Sequence, residues 1–262
     1  MIYHVNKKIS IIIATYNAEK YLQNCLDSII PQLDTNIELI IIDGGSKDST
    51  VEIIKQNQKY ISYFVSESDK GIYDAWNKGL EKASGEWIMF VGADDQLVAN
   101  AIEVYTTFIN ENQEAQHVDF ISSRVEMIDE NGKSIRIKGW PFAWPMFLKE
   151  MTVAHPGALH SKELFNKYGK YNIDYKIVGD YEFLLRAGKS LKALYVDTVT
   201  VRMSEGGASD SVKSIKEHYK AVISTGKHSK YLAFINASIV YTKYKVKKIG
   251  RKIGLNLYMR KA

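Results

Sequence analysis

Cysteine occurs once, at Cys25. That excludes a disulfide framework and any cysteine-built zinc site. Cys25 lies among apolar helical positions, which predicts a buried, inert thiol. Residues Met1 to Lys8 lack a signal-peptide layout, and the apolar run Ile9 to Ala14 is too short to span a bilayer. A cytoplasmic chain is the expectation. No G-x-G-x-x-G follows the first apolar run, which argues against a dinucleotide oxidoreductase. No G-x-x-x-x-G-K-[ST] occurs, which argues against a P-loop NTPase. Acidic residues are nearly missing from the end of the chain: residues 211–262 hold 13 Lys or Arg against one acid, Glu217. The basic charge is confined to that tail, and the candidate ligand edge is acidic. That combination argues against nucleic acid as a partner, since an acidic edge repels phosphate unless a metal is present.

What is present is an ordinary globular composition, with 45% apolar and 25% charged residues in 262, enough for one large α/β domain or one domain with an appendage. Apolar runs at Ile9–Thr15, Ile37–Ile42, Ile61–Ser66 and Trp87–Gly92 read as buried strands. Helical spacing separates them at Ala18–Ile30, Thr50–Gln58 and Ile72–Lys82. This alternation predicts an open, mostly parallel sheet flanked by helices. After a helix at 99–112, Val118–Glu126 and Ser134–Lys138 read as a hairpin around Asn131-Gly132. Trp140, Phe142, Trp144 and Phe147 read as core packing over the sheet, with an aromatic platform for a sugar ring or lipid as the alternative. A short helix from Ser161, a helix over 183–188 opened by Gly179-Asp180-Tyr181-Glu182, and a strand at 191–203 follow. The Gly-rich stretch Ser204–Ser211 suits a lid.

Three predicted strand ends carry carboxylates: Asp43, Asp69 and the adjacent pair Asp94-Asp95. Two neighbouring acids repel unless a cation or solvent screens them. Open α/β sheets bind ligands at this edge. A divalent ion holding a diphosphate fits the pair, since Mg²⁺ and Mn²⁺ combine one or two carboxylates with phosphate oxygens. A solvated turn that caps the next helix fits it as well.

Five motifs in order then resemble the family 2 glycosyltransferases of GT-A (Rossmann-like) fold. They are Ala14-Thr15-Tyr16-Asn17, Asp43-Gly44-Gly45-Ser46, Asp69-Lys70-Gly71-Ile72-Tyr73-Asp74-Ala75, Gly92-Ala93-Asp94-Asp95 and Gly179-Asp180-Tyr181-Glu182. The resemblance covers about residues 8–210. It is nearest to bacterial enzymes of O-antigen and related surface polysaccharide (lipopolysaccharide) assembly. The resemblance implies an inverting transfer of glucose or galactose from a UDP-sugar to a GlcNAc- or GalNAc-diphosphate-lipid, giving a β linkage. It implies that Thr15, Tyr16, Asn17 and Glu19 contact the base and ribose. Asp43 would bond the uracil, with Gly44 and Ser46 in the same loop, and Asp69, Lys70 and Gly71 would lie beside nucleotide and sugar. The family's DXD metal motif reads Ala93-Asp94-Asp95 here, so only its last two positions are acidic. Asp95 is then the expected ligand of Mn²⁺ or Mg²⁺, with Asp94 on ribose or sugar. Asp180 corresponds to the catalytic base; its residue-level alternative is an N-cap. His155 and Arg202 are further candidates for phosphate or acceptor.

The expected domains are a transferase domain over 1–210 and a basic helical segment over 211–262. In the tail, Leu232, Ile235, Ile239, Val246, Ile249 and Ile253 share one helical face, with Lys243, Lys247, Lys248 and Arg251 off it. Such a helix suits the surface of an anionic membrane and a peripheral location on its inner face. Alternatively it packs on the body or on a second subunit, as in a homodimer. Two other functions share the features: a metal-dependent nucleotidyltransferase, and a non-catalytic scaffold of a polysaccharide assembly complex.

Overall fold

The computed structural model describes residues 8–129, 131–204 and 206–252. Residues Met1 to Lys7 and the tail position Ile253 lie outside the described residues, so the expectations placed on them do too. The apolar runs form strands β1 (Ile9–Thr15), β2 (Ile37–Asp43), β3 (Tyr63–Ser66) and β4 (Trp87–Gly92). They lie parallel in the order β3-β2-β1-β4. β2 is buried at every residue, which is why its sequence is almost continuously apolar. In β1, Ile9, Ile11 and Ile13 point to one layer of the core and Ile12 to the other, following the period-2 alternation of a strand.

Helix α1 (Leu22–Ile29) packs on the first layer through Leu22, Cys25, Leu26 and Ile29. Cys25 is fully buried. Helix α2 (Thr50–Gln56) follows β2; Asp48 accepts from the Thr50 N–H and hydroxyl at 3.1 and 2.6 Å. Helix α3 (Ile72–Lys82) lies on the opposite layer, pressed so close to β1 that a Cβ at Gly79 would stand 2.5 Å from Ile12.

Beyond β4 the sheet turns mixed. Strand β5 (Gln96–Leu97) precedes helix α4 (Ala101–Glu111), which covers the α1 side. Strands β6 (Phe120–Ile128) and β7 (Ser134–Lys138) form the expected hairpin, with Gly132 at φ +76° in its turn. The short helix α5 (Trp144–Phe147) follows. Of the four aromatics there, Phe147 is fully buried while Trp140 is 47% exposed, so the core expectation holds for only part of the stretch. Strand β8 (Leu159–Ser161) runs antiparallel between β4 and β6, and helix α6 (Lys162–Tyr168) starts directly after it. Helix α7 (Gly179–Ala187) precedes β9 (Ala193–Ser204), which pairs parallel to β6 and antiparallel to β5.

The tail forms two helices, α8 (Val212–Ser224) and α9 (Lys230–Lys252). The boundary expected at residue 210 does not separate α8 from the body. Ala221 and Val222 are buried in the same core layer as α7, and Glu217 accepts from the N–H groups of Lys176, Ile177 and Val178 at 3.0, 2.8 and 3.3 Å.

Candidate active site

The strand order puts a reversal at β1: β2 and β3 lie to one side and β4 to the other. Ligands of open α/β sheets sit at such a point, outside the carboxyl ends of the strands. A cavity of about 1060 Å³ opens there. Its wall comes from all four strand ends: Thr15 at the end of β1 with Tyr16 and Asn17 after it, Gly44 and Ser46 after β2, Asp69 after β3 and Asp94 after β4. Gly71, Ile72 and Ala75 of the α3 start complete it.

The loop after β2 is built around Asp43. Its buried carboxylate receives Thr15 Oγ1 at 3.0 Å, Ser66 Oγ at 2.5 Å, the N–H groups of Gly45 and Ser46 at 3.0 and 2.9 Å, and the Ser46 hydroxyl. Burial pushes its pKa up, but these donors outweigh burial and hold it below the usual carboxylate range. A carboxylate so occupied props the loop. It is not among the residues that line the cavity. Asp69 stands on the wall in its place. One of its oxygens accepts from Gly71 N–H at 2.8 Å, and the other lies 2.6 Å from where a Cβ on Gly44 would be. Only the absent side chain at Gly44 leaves that oxygen its position, beside the ring of Tyr16, which is 65% exposed.

Asn17 adopts φ +48° and ties the first two loops together. Its N–H donates to Ser46 Oγ at 2.8 Å, and its side-chain oxygen accepts from Lys47 N–H at 2.9 Å. Glu19 is exposed and accepts from Ser49 N–H at 3.0 Å, so it braces the β2 loop from outside. Lys70 is exposed; its carbonyl accepts from Lys176 Nζ at 2.8 Å.

At the β4 end, Asp94 lines the cavity and Asp95 is buried behind it, accepting from Gly92 N–H at 3.0 Å. The oxygens of both acids converge on Gly92, at 2.8 and 3.0 Å from the site of an added Cβ. Burial first, and the Asp94 charge second, raise the Asp95 pKa to about 8. No lysine, arginine or histidine among the described residues forms an ion pair with either acid. The expectation placed Asp95 on the metal and Asp94 on ribose or sugar; the structure puts Asp94 on the cavity wall and Asp95 behind it. Among the described residues no cluster of three or more His, Cys, Asp or Glu is grouped to hold a metal. Two uncompensated carboxylates fit a divalent ion only if a diphosphate supplies the remaining ligands.

Asp180 is half-buried near the start of α7. Tyr73 of α3 reaches it, with its hydroxyl 3.0 Å from Asp180 Oδ1 and 2.8 Å from the Ile177 carbonyl. Gly179 makes this approach possible, since a Cβ there would meet the Tyr73 ring at 2.8 Å. Burial raises the Asp180 pKa to about 6, with the Tyr181 N–H and the Tyr73 hydroxyl pulling the other way. Helix α3 therefore links the cavity, through Gly71, Ile72 and Ala75, to Asp180, through Tyr73. The N-cap alternative for Asp180 does not hold, because α7 already begins at Gly179.

Two expected contacts fall elsewhere. His155 is buried, stacked on Trp76 at 5.1 Å between centroids and 3.1 Å from the Tyr171 hydroxyl. Burial lowers its pKa to about 3, so it stays neutral and is not a charged partner for phosphate. Arg202, 55% exposed, pairs with Glu126 at 2.9 Å and does not line the cavity. Residue-level reading assigned no role to Tyr73 and Glu217, although Tyr73 sits inside a quoted motif.

An acidic cavity across the carboxyl ends of parallel strands is the ligand-binding arrangement of open α/β enzymes. The chain belongs to glycosyl transferase family 2, whose family model matches residues 10–177. A PGL/p-HBAD biosynthesis glycosyltransferase of Mycobacterium bovis is 32% identical over 210 residues, 78% of this chain and 79% of that one. Staphylococcus aureus TarS 1-349 in complex with UDP-GlcNAc superposes with a TM-score of 0.65 at 17% identity, over 95% of this chain and 76% of that one. This chain spans 41% of the longer TarS structure. The mannosyltransferase PcManGT of Pyrobaculum calidifontis, in complex with GDP-Man and Mn2+, gives 0.63 at 16% identity, over 97% and 81% of the two chains. The fold is thus the GT-A α/β architecture, and the protein is a glycosyltransferase.

Proposed function

We propose that this enzyme moves a hexose from UDP-glucose or UDP-galactose to a GlcNAc- or GalNAc-diphosphate-lipid, in O-antigen or related surface polysaccharide synthesis. The observation that carries the reading is α3, which borders the acidic cavity with one turn and holds Asp180 with the next residue. The donor's base stacks on Tyr16, and its N–H meets the free oxygen of Asp69. Ribose and diphosphate run along Thr15, Gly44, Ser46 and Asp94. Asp94 and Asp95 would hold Mn²⁺ or Mg²⁺, which supplies Lewis-acid stabilisation to the leaving diphosphate. Asp180 takes the proton of the acceptor hydroxyl as that oxygen bonds to the anomeric carbon and the diphosphate departs. One displacement inverts the centre, so an α-linked donor gives a β-linked product.

A peripheral position on the inner face of the cytoplasmic membrane completes the reading. No described helix is long and apolar enough to cross a membrane. Helix α9 nevertheless leaves Leu232, Ile235, Ile239, Val246 and Ile249 exposed along one face, beside its lysines, which suits an anionic bilayer surface. The test is a panel of UDP-sugars with a synthetic lipid-diphosphate acceptor, with and without Mn²⁺, and product linkage by NMR. A β-linked hexose is expected. An α-linked product, or diphosphate release from a nucleoside triphosphate in place of sugar transfer, would overturn the proposal.

A further inference from the structure

Helix α8 meets the body of the protein at the turn that carries Asp180. Two neighbours on that helix, Glu217 and His218, grip the turn on either side. Glu217 Oε2 accepts the N–H groups of Lys176, Ile177 and Val178 at 3.0, 2.8 and 3.3 Å, in a stretch that has no strand or helix of its own. His218 stacks on the ring of Tyr181, with 4.5 Å between centroids and 12° between planes. Asp180 lies between the two grips. The Ile177 residue is held from both ends. Its N–H goes to Glu217, and its carbonyl lies 2.8 Å from the Tyr73 hydroxyl, which also meets Asp180 at 3.0 Å. Lys176 ties the same stretch to the donor side: its Nζ donates at 2.8 Å to the carbonyl of Lys70, next to the cavity residue Gly71. A carboxylate that collects three successive N–H groups fixes a backbone firmly, because hydrogen bonds to an ionised acceptor are stronger than neutral ones.

We infer that Glu217 is a positioning residue for sugar transfer: through Ile177 and Tyr73 it sets where the Asp180 carboxylate stands. The inference rests on the reading of Asp180 as the base. Glu217 does not line the cavity, so its loss should leave donor affinity alone. It should slow the chemical step instead, where a displacement of about 1 Å can cost about 10²-fold. One oxygen takes all three N–H groups, so reach matters more than charge. Glutamine has the same reach and keeps one oxygen for that place. Aspartate keeps the charge and is one methylene too short. A residue that only braced the fold would change stability without separating kcat from donor affinity, and would leave the titration of Asp180 unmoved. The titratable groups facing Asp180 are the hydroxyls of Tyr73 and Tyr171. Burial pushes both well above their ordinary value, so both stay neutral while Asp180 titrates.

Two readouts on the full chain test this, in wild type, Glu217→Asp and Glu217→Gln. The first is transfer from UDP-glucose to a synthetic GlcNAc-diphosphate-lipid. Glu217→Asp should lower kcat by about 10- to 100-fold and Glu217→Gln by no more than a few-fold, with UDP affinity unchanged in both. The second needs no substrate: carbon NMR titration of the Asp180 carboxyl, assigned by its loss in Asp180→Asn. The wild-type midpoint is expected at about 6. In Glu217→Asp it should fall towards the ordinary value of about 3.9, as the loosened turn admits water. An unmoved midpoint, or a kcat loss matched by an equal loss of UDP affinity, overturns the inference. So does a fall of about tenfold or more in Glu217→Gln, which also decides the matter if Glu217→Asp does not fold. A further overturning result is that Glu217→Asp slows Asp180→Asn as much as it slows wild type, because two residues acting as one unit are not additive. The base reading fails separately. If the midpoint falls in Glu217→Asp while Asp180→Asn transfers at the wild-type rate, the positioning stands and the base reading falls. If Asp180→Asn is inactive and the midpoint does not move, the base reading stands and the positioning falls.

Discussion

Asp95→Asn should stabilise the protein, and more so as the pH rises. In the folded chain, burial and the neighbouring Asp94 raise the Asp95 pKa to about 8. Unfolded, the group titrates near its ordinary value of about 3.9. Between those limits the folded state keeps a proton that the unfolded state has lost. Stability is therefore greatest below about pH 4 and falls as the pH climbs towards about 8. One proton corresponds to a slope of about 1.4 kcal/mol per pH unit, so the loss between pH 5 and 7 reaches at most about 3 kcal/mol. An asparagine keeps the acceptor for the Gly92 N–H, now 3.0 Å from Asp95 Oδ2, and has no such proton to lose. For a domain of this size 1 kcal/mol moves Tm by about 2–4 °C. The Tm gap between variant and wild type should then widen by up to about 6–12 °C over those two pH units. Thermal melts at both pH values measure it. Mn²⁺ with UDP should narrow the gap, because a cation favours the charged wild-type carboxylate. Parallel pH slopes for the two proteins would refute the picture of an uncompensated acid pair.

Two further substitutions probe the same cavity. Tyr73→Phe removes a donor that holds the Asp180 pKa down, so the acid limb of kcat/KM should move from about 6 to higher pH. An unmoved limb would separate Asp180 from proton transfer. Gly44→Ala drives a methyl to within 2.6 Å of the Asp69 carboxylate, a flexible side-chain end. The melting temperature should hardly change while UDP binding weakens about tenfold, as for a lost hydrogen bond to a charged group; unchanged UDP affinity would remove Asp69 from base recognition.

The first half of the fold was legible because its signals are local. β1, β2 and β4 are nearly continuous apolar runs, and the predicted span of α3, 72–82, matches the structure. The carboxylates at the strand ends follow from the same pattern. β5 and β8 were not legible, since two or three residues carry no periodicity and their pairing is decided by tertiary contact. Asp43 and His155 show the limit for site residues. A motif identifies the residue, but whether its polar atoms face a cavity or are already satisfied depends on neighbours far along the chain, such as Ser66 and Tyr171. The role of the lone acid of the tail, Glu217, was hidden for the same reason. Its three N–H donors lie about 40 residues upstream, in the segment that leads to Asp180.

The most direct measurement is single-turnover sugar transfer by Asp180→Asn, with UDP affinity recorded on the same preparation. If Asp180 deprotonates the acceptor, transfer falls by about 10²-fold or more, while UDP binds as in wild type. Turnover within a few-fold of wild type would mean that some other group accepts the proton and that the α3-linked pairing of cavity and carboxylate is not the catalytic device.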